Sequence, residues 1–194
     1  MTSQVDIANR ALIIVGADRI TSFDDNTVEA KIINQTYDGV KKFVLRSYPW
    51  NCATKRATLA LLTDAPVSEF AYKFRLPNDS LRVLKAFPVG AWSSTGVDYD
   101  WTVEGRDILS DQGTLSIKYI SSDVAEDALE PHVIEVIIYR LALEIAYAIS
   151  ASNTSLTNIE QMYMRTLDEA RTTDGLESTS RPLGPENRFS TLRG

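Results

Sequence analysis

The sequence predicts an α+β fold: an antiparallel bundle of about four helices with an inserted antiparallel β-sheet domain and an extended C-terminal arm. Apolar residues recur with a helical period of about 3.6 over residues 1–51 and 122–175. They alternate with a period of about 2 over residues 52–121, as in half-buried strands. Residues 176–194 combine two prolines with little periodicity. These ranges are therefore the predicted bundle, sheet domain and arm.

The first helix begins at a predicted capping pair, because Ser3 and Asp6 can satisfy free backbone N–H groups at its start. Gly16 marks its end. Its apolar stripe comprises Val5, Ile7, Ala8, Ala11, Leu12, Ile14 and Val15. A stripe this wide predicts a helix that packs against other helices.

The second helix is expected to span residues 27–47, after a capping pair of Asn26 and Glu29 and before Pro49. Gly39 inside it costs about 1 kcal/mol relative to alanine, which suggests close packing of a neighbour there. The predicted apolar face holds Ile33, Tyr37, Val40 and Val44, and the predicted polar face holds Lys31, Asn34, Gln35, Asp38, Lys41 and Lys42.

Four or five strands are expected to follow. The alternation is plainest where Phe70, Tyr72, Phe74 and Leu76 are separated by small or basic residues. Residues 81–87 predict a second strand, residues 101–109 a hairpin around Gly105, and residues 114–121 a last strand.

The third helix, over residues 133–149 after Pro131, is apolar around most of its circumference and is predicted to be the central one. It does not qualify as a membrane span, because Glu135, Arg140 and Glu144 interrupt it. Their side is predicted to be a solvated edge or a subunit contact.

The fourth helix is expected to start near Ser155 or Thr157, with Thr157 and Glu160 as a capping pair, and to end at Gly175. Its apolar stripe comprises Leu156, Ile159, Tyr163, Leu167 and Ala170. The arm that follows cannot form a core element.

Charge and motif content argue against several classes of function. The net charge of −6 has the wrong sign for a protein that grips nucleic-acid phosphates. Phosphate-loop, dinucleotide, metalloprotease and nucleophile-elbow motifs are absent, so we predict no catalytic residue and no cofactor. His132 is the only histidine and is interpreted as a helix-start polar residue, with a Ser-His-Asp triad as a minor alternative.

No metal site is predicted either. Asp98 and Asp100 could offer two carboxylates, but no third ligand is signalled nearby. Cys52 is the only cysteine, has no base beside it in sequence, and is interpreted as a small buried residue.

An ordered series of short motifs resembles the tail tubular protein A family, the head-to-tail adaptors of short-tailed bacteriophages. The series covers roughly residues 5–90 and departs from the family pattern at Cys52 and in the loop 90–96. Its members are Ala11-Leu-Ile-Ile-Val-Gly16, Ile20-Thr-Ser-Phe-Asp24, Tyr37, Leu45, Tyr48-Pro-Trp-Asn51, Tyr72-Lys-Phe-Arg-Leu-Pro77 and Leu81-Arg-Val83.

The resemblance implies a structural virion protein without catalysis. Such adaptors are bundles with a sheet domain inserted after the second helix, and they form a twelve-membered homo-oligomeric ring below the portal protein. They carry the tail nozzle protein and continue the channel for DNA ejection. The implied location is the virion tail, with the host cytoplasm during assembly and no membrane contact.

The resemblance also assigns partner binding to the arm, which in such adaptors reaches toward the portal. The residues assigned to this contact are Arg181, Pro182, Leu183, Pro185, Arg188, Phe189 and Arg193. An acidic channel wall would let DNA pass without specific binding. The alternative interpretation is a non-viral soluble assembly or binding domain with the same layout.

Overall fold

The computed structural model describes residues 2–64, 66–67, 69–91, 99–149 and 153–177. Four α-helices are present in these ranges: α1 Gln4–Val15, α2 Val28–Ser47, α3 Pro131–Ile149 and α4 Asn153–Glu177. The strands are β1 Thr54–Thr58, β2 Tyr72–Arg75, β3 Ser80–Phe87, β4 Trp101–Glu104, β5 Asp107–Ser110 and β6 Ser116–Ser121. Short 3₁₀ helices lie at Asn51–Ala53 and Glu126–Ala128. The predicted α+β class is confirmed.

The inserted segment forms two three-stranded antiparallel sheets. The inner sheet has the order β1-β6-β3, and the outer sheet has the order β2-β5-β4. Ile120 of β6 is buried in the helical core, whereas Ile117 and Tyr119 are buried in a second core together with Phe74 and Ile108 of the outer sheet. The inner sheet therefore separates the helices from the outer sheet, since successive side chains of a strand point to opposite faces.

The described ranges contain six strands, whereas four or five were expected. The predicted hairpin is confirmed as β4 and β5, with Gly105 in the left-handed region at φ 61°. The additional strand is β1, which pairs with β6 from Thr54 opposite Ile120 to Thr58 opposite Ser116. Its sequence has one apolar residue, Ala57, so no alternation marks it.

α3 is the central helix, as predicted, because it packs against α1, α2 and α4. The capping box of Ser3 and Asp6 is also confirmed at the start of α1. Of the predicted stripe on α1, Ile14 is the exception, since 36% of its surface is exposed. The predicted apolar residues of α2 are all buried, as are four of the five predicted on α4.

Three helix boundaries differ from the predictions. The cap of α2 is Thr27, whose side chain accepts a hydrogen bond from Ala30 N, and not the pair Asn26 and Glu29. α4 begins at Asn153, so Thr157 and Glu160 do not cap it. α4 also continues past Gly175 to Glu177, because Gly175 does not adopt the left-handed conformation with which glycine ends a helix.

Two residues of α2 also depart from expectation. Lys41, assigned to the polar face, is buried, because the chain after β6 covers it. Gly39 has no close neighbour: a Cβ added there would meet nothing within 4 Å. The close packing suggested for Gly39 is therefore not made within the described part of this chain.

The C-terminal arm lies beyond the described residues, except that residues 176 and 177 belong to α4. Among the described helices, none has the length and apolar character needed to cross a bilayer.

Candidate functional site

The residues assigned to portal binding lie outside the described part of the chain. These are Arg181, Pro182, Leu183, Pro185, Arg188, Phe189 and Arg193. The described residues offer three other regions with functional potential. They are the junction between bundle and sheets, a cluster of carboxylates around His132, and an exposed groove on α2 and α3.

The junction is formed by the Tyr48-Pro-Trp-Asn51 motif, which carries the chain out of α2 and into β1. Trp50 is completely buried, and its indole Nε1 donates to Val44 O in the last turn of α2 at 2.8 Å. This bond satisfies one of the carbonyls that a helix end leaves free. The Tyr48 and Trp50 rings pack with centroids 4.8 Å apart. Trp50 is therefore both a core anchor and a cap.

The same motif holds the end of α4. Asn51 N donates to Asp174 Oδ1 at 2.9 Å, and Asn51 Nδ2 donates to Asp174 O at 3.0 Å. The Tyr48 hydroxyl donates to Arg171 O at 3.3 Å. Each of these bonds joins two residues that are 123 positions apart in sequence. The Pro-Trp-Asn step is thus a structural junction in this chain.

Beside the junction lies a cluster that we call the His132 cluster, made of Glu130, His132, Asp174 and Glu177. The start of α3 contributes the first two residues and the end of α4 the other two. His132 Nε2 is 3.1 Å from Glu130 Oε2 and 3.7 Å from Asp174 Oδ1. Oxygen atoms of Glu130 and Glu177 and a ring nitrogen of His132 all lie within 4.8 Å of one another. One imidazole is therefore surrounded by three carboxylates.

The proximity of these carboxylates affects the pKa of Glu130. Burial raises the pKa of Glu130, and the negative charges of Asp174 and Glu177 raise it further, while His132 opposes them. Burial also raises the pKa of the neighbouring Cys52 thiol to about 11. A thiol with so high a pKa is the opposite of an activated nucleophile, because the thiolate is the reactive form.

The sequence could have indicated this cluster. Residues 150–152 leave room only for a short connection, and a short connection makes neighbouring helices antiparallel. The start of α3 and the end of α4 must then lie at the same end of the bundle. Sequence reasoning placed His132 correctly at a helix start but missed Asp174 and Glu177, which belong to the cluster.

The alternative chemistry considered for His132 finds little support. A triad requires a nucleophile hydrogen-bonded to the imidazole. Within the described ranges, His132 Nε2 has no hydrogen-bond partner. Of the two carboxylates considered as metal ligands, Asp98 lies outside the described residues, and Asp100 accepts a hydrogen bond from Ser110 through its backbone oxygen.

The exposed groove runs along α2 and α3. Gly39 forms part of its floor, and 51% of the surface of Phe43 is exposed beside it. The Arg140 guanidinium lies 4.7 Å from the centre of the Phe43 ring and is paired with Glu144 at 3.1 Å. The groove continues past Glu144 to Tyr147, which is 80% exposed. We call this surface the Phe43–Tyr147 groove. It combines exposed aromatic rings with charges of both signs.

The described residues form a four-helix frame with two inserted sheets. A buried junction connects the frame to the sheets, and an aromatic groove lies on α2 and α3. The described residues thus provide a buried structural junction, a carboxylate cluster around His132 and an exposed aromatic groove. No protein-family model matches the chain, and no curated protein is significantly similar to it.

Proposed function

We propose that the chain is a structural virion protein, a head-to-tail adaptor that forms a ring between the portal and the tail nozzle of a short-tailed bacteriophage. The observation that carries the proposal is the junction. The motif Tyr48-Pro-Trp-Asn51, which is part of the family resemblance, lies at the point where the helical frame gives way to the inserted sheets. The layout of frame and insertion is the one that the resemblance implies.

The Phe43–Tyr147 groove supports assembly with further copies of the chain. Arg140, Glu144 and the exposed aromatic rings give both charge signs and apolar area, and aromatic and arginine side chains are enriched at protein interfaces. Gly39 adds a second argument. A helix-interior glycine is costly, and no described atom of this chain lies within 4 Å of a Cβ added at Gly39. A neighbouring copy that packs closely over Gly39 supplies the missing reason.

The central test is imaging of the purified protein with and without portal rings. We expect twelve-fold rings of this protein on the portal. A truncation that removes residues 178–194, and so leaves α4 complete, should fold but fail to attach. The residues assigned to portal contact all lie in the deleted segment. Co-sedimentation of the truncated chain with portal at the level of the full chain would contradict this assignment.

Replacing Gly39 with alanine should separate folding from assembly. The added methyl meets nothing within 4 Å, so the monomer should gain about 1 kcal/mol in the free energy of unfolding. Ring formation should weaken, because the methyl would intrude on the neighbouring copy. Thermal unfolding measures the first effect and analytical ultracentrifugation with portal the second.

Gly175→Ala is the matched control. It lies in α4, where an added Cβ would make an ordinary 3.6 Å contact with the Tyr48 hydroxyl. It should leave assembly unchanged. Undiminished ring formation by Gly39→Ala would remove the groove from the proposed interface.

The second candidate function is a non-viral assembly or binding domain of the same layout. The groove favours it equally, since an exposed aromatic surface does not specify its partner. The portal experiment discriminates between the two. A chain that stays monomeric in the presence of portal supports the non-viral domain.

A further inference from the structure

We propose that Glu130, His132 and Glu177 form a binding site for one divalent transition-metal ion, with Zn²⁺ as the ion that fits the donors best. The inference is independent of the adaptor proposal, because it rests on side chains within one chain and is tested on the purified chain alone. It also revises the expectation that the chain has no metal site.

The first argument is the geometry of the buried atoms. His132 Nε2 and Glu130 Oε2 are 3.1 Å apart, yet each is inaccessible to solvent and neither has a hydrogen-bond partner within the described residues. Buried polar atoms are normally hydrogen-bonded, and an orphan commonly indicates an ion or water. The two atoms lie within hydrogen-bonding distance of each other, but no hydrogen bond joins them.

The spacing is also that of metal ligands. Zn²⁺ binds nitrogen and oxygen at about 2.0–2.2 Å in tetrahedral geometry, which places neighbouring ligand atoms about 3.4 Å apart. The separation of 3.1 Å between His132 and Glu130 is close to this edge length. The third ligand, Glu177, lies within 4.8 Å of both and is exposed at the end of α4. Its long side chain can close the remaining distance, and water can take the fourth position.

The second argument is charge. Three carboxylates surround one imidazole, and within the described ranges the ion pairs of Glu130 and Asp174 are made with His132 alone. A cation that binds here relieves the repulsion between these carboxylates. Asp174 Oδ1, held by the Asn51 backbone N–H at 2.9 Å, contributes its charge from just outside the three ligands.

The donor types decide the class of ion. One imidazole with two carboxylates suits Zn²⁺ and related transition-metal ions, whereas Mg²⁺ and Ca²⁺ prefer oxygen ligands alone. Cys52 is not assigned as a ligand. Its sulfur is not among the donor atoms that lie within 4.8 Å of one another at this position.

A metal ion at this position would connect the start of α3 to the end of α4. Glu177 is the last residue of α4, and the chain continues from it into residues 178–194. The ion would therefore fix the position of Glu177, the residue that precedes this segment in sequence.

The test is isothermal titration calorimetry of the full, untagged and chelator-treated chain with Zn²⁺ and, separately, with Mg²⁺. We expect one Zn²⁺ per chain and no measurable heat from Mg²⁺. His132→Ala should weaken Zn²⁺ binding about 100-fold or more, since it removes the only imidazole of the chain. Glu177→Gln should weaken binding about 10-fold or more without affecting folding, because the residue is exposed.

Two control variants sharpen the result. Glu169→Gln removes one carboxylate from an exposed position on the same helix and should leave Zn²⁺ affinity unchanged. Cys52→Ser should also leave it unchanged. The proposal is overturned if wild type binds no Zn²⁺, if His132→Ala and Glu177→Gln both bind as wild type does, or if Cys52→Ser abolishes binding. Circular dichroism of each variant verifies that lost binding does not reflect lost folding.

Discussion

Replacing Trp50 with alanine should lower the free energy of unfolding by about 4 kcal/mol, the largest loss expected from a single substitution in the junction. Trp50 is completely buried, so the substitution leaves a cavity where the largest side chain of the core stood. It also removes one of the two side-chain donors to Val44 O at the end of α2, the other being the Ser47 hydroxyl. Urea unfolding followed by far-UV circular dichroism measures the loss without depending on tryptophan fluorescence.

Trp50→Phe and Trp101→Ala are the matched variants. Phenylalanine keeps an aromatic ring but cannot donate the hydrogen bond. Because the ring fills most of the cavity that alanine leaves, Trp50→Phe should lower the free energy of unfolding by less than Trp50→Ala does. Trp101 is only partly buried and packs against the core between the two sheets. Its removal should therefore cost less than removal of Trp50. Equal losses for the two alanine variants would show that Trp50 does not anchor the junction.

The helical frame could be predicted because each helix carries its own periodic signal. Ile33, Tyr37, Val40 and Val44 recur at the helical spacing and are buried as that spacing requires. The capping residue of a helix is harder to predict, because neighbouring Ser, Thr, Asn and Asp residues can all cap a helix. At α2 the sequence offers both Asn26 and Thr27, and the structure uses Thr27.

Sheet organisation was less predictable, because pairing depends on residues far apart in sequence. Thr54 lies opposite Ile120, and neither position indicates the other. The division into two sheets likewise follows from which face of β6 meets the helices. Gly175 illustrates a further limit: glycine commonly ends a helix in the left-handed conformation, but Gly175 does not adopt it and α4 continues to Glu177.

Prediction of the candidate metal site requires both the helix boundaries and the packing of α3 against α4. The sequence placed His132 at the start of a helix but offered no other histidine nearby, so a metal site was not predicted. Glu177 lies 45 positions later, at the end of a helix whose C-terminal end was predicted two residues too early. The cluster forms because the antiparallel packing of α3 and α4 brings the start of one helix next to the end of the other.

Lys41→Met should lower the free energy of unfolding by about 3 kcal/mol at neutral pH, because it leaves a mostly buried carboxylate without its cation. Lys41 Nζ is 2.6 Å from Glu126 Oε1 and donates to Val124 O at 2.7 Å. Methionine preserves most of the buried stem but neither bond. Helical periodicity assigned Lys41 to a polar face, and the burial arises from the segment that follows β6.

Acidic pH should reveal the origin of this loss. Burial would raise the pKa of Glu126, but hydrogen bonds from Lys41 and Gln4 outweigh it and hold the pKa below its ordinary value of 4.5. A carboxyl whose pKa is lowered by folding stabilises the protein above its unfolded pKa, and this contribution disappears as pH falls through the folded value. In Lys41→Met, burial dominates, so protonation of Glu126 favours the folded state. The difference in unfolding free energy between wild type and Lys41→Met should therefore narrow as pH falls through 4.5.

The double variant Lys41→Met with Glu126→Gln completes the test. Removing the uncompensated carboxylate should restore part of the stability lost in Lys41→Met at pH 7, and it should abolish the narrowing at acidic pH. Urea unfolding at a series of pH values from about 3 to about 7, a range that spans the titration of a carboxyl group, provides both measurements. A constant difference across that series would mean that Lys41 stabilises the fold through the packing of its stem and the bond to Val124, and not through the charge of Glu126.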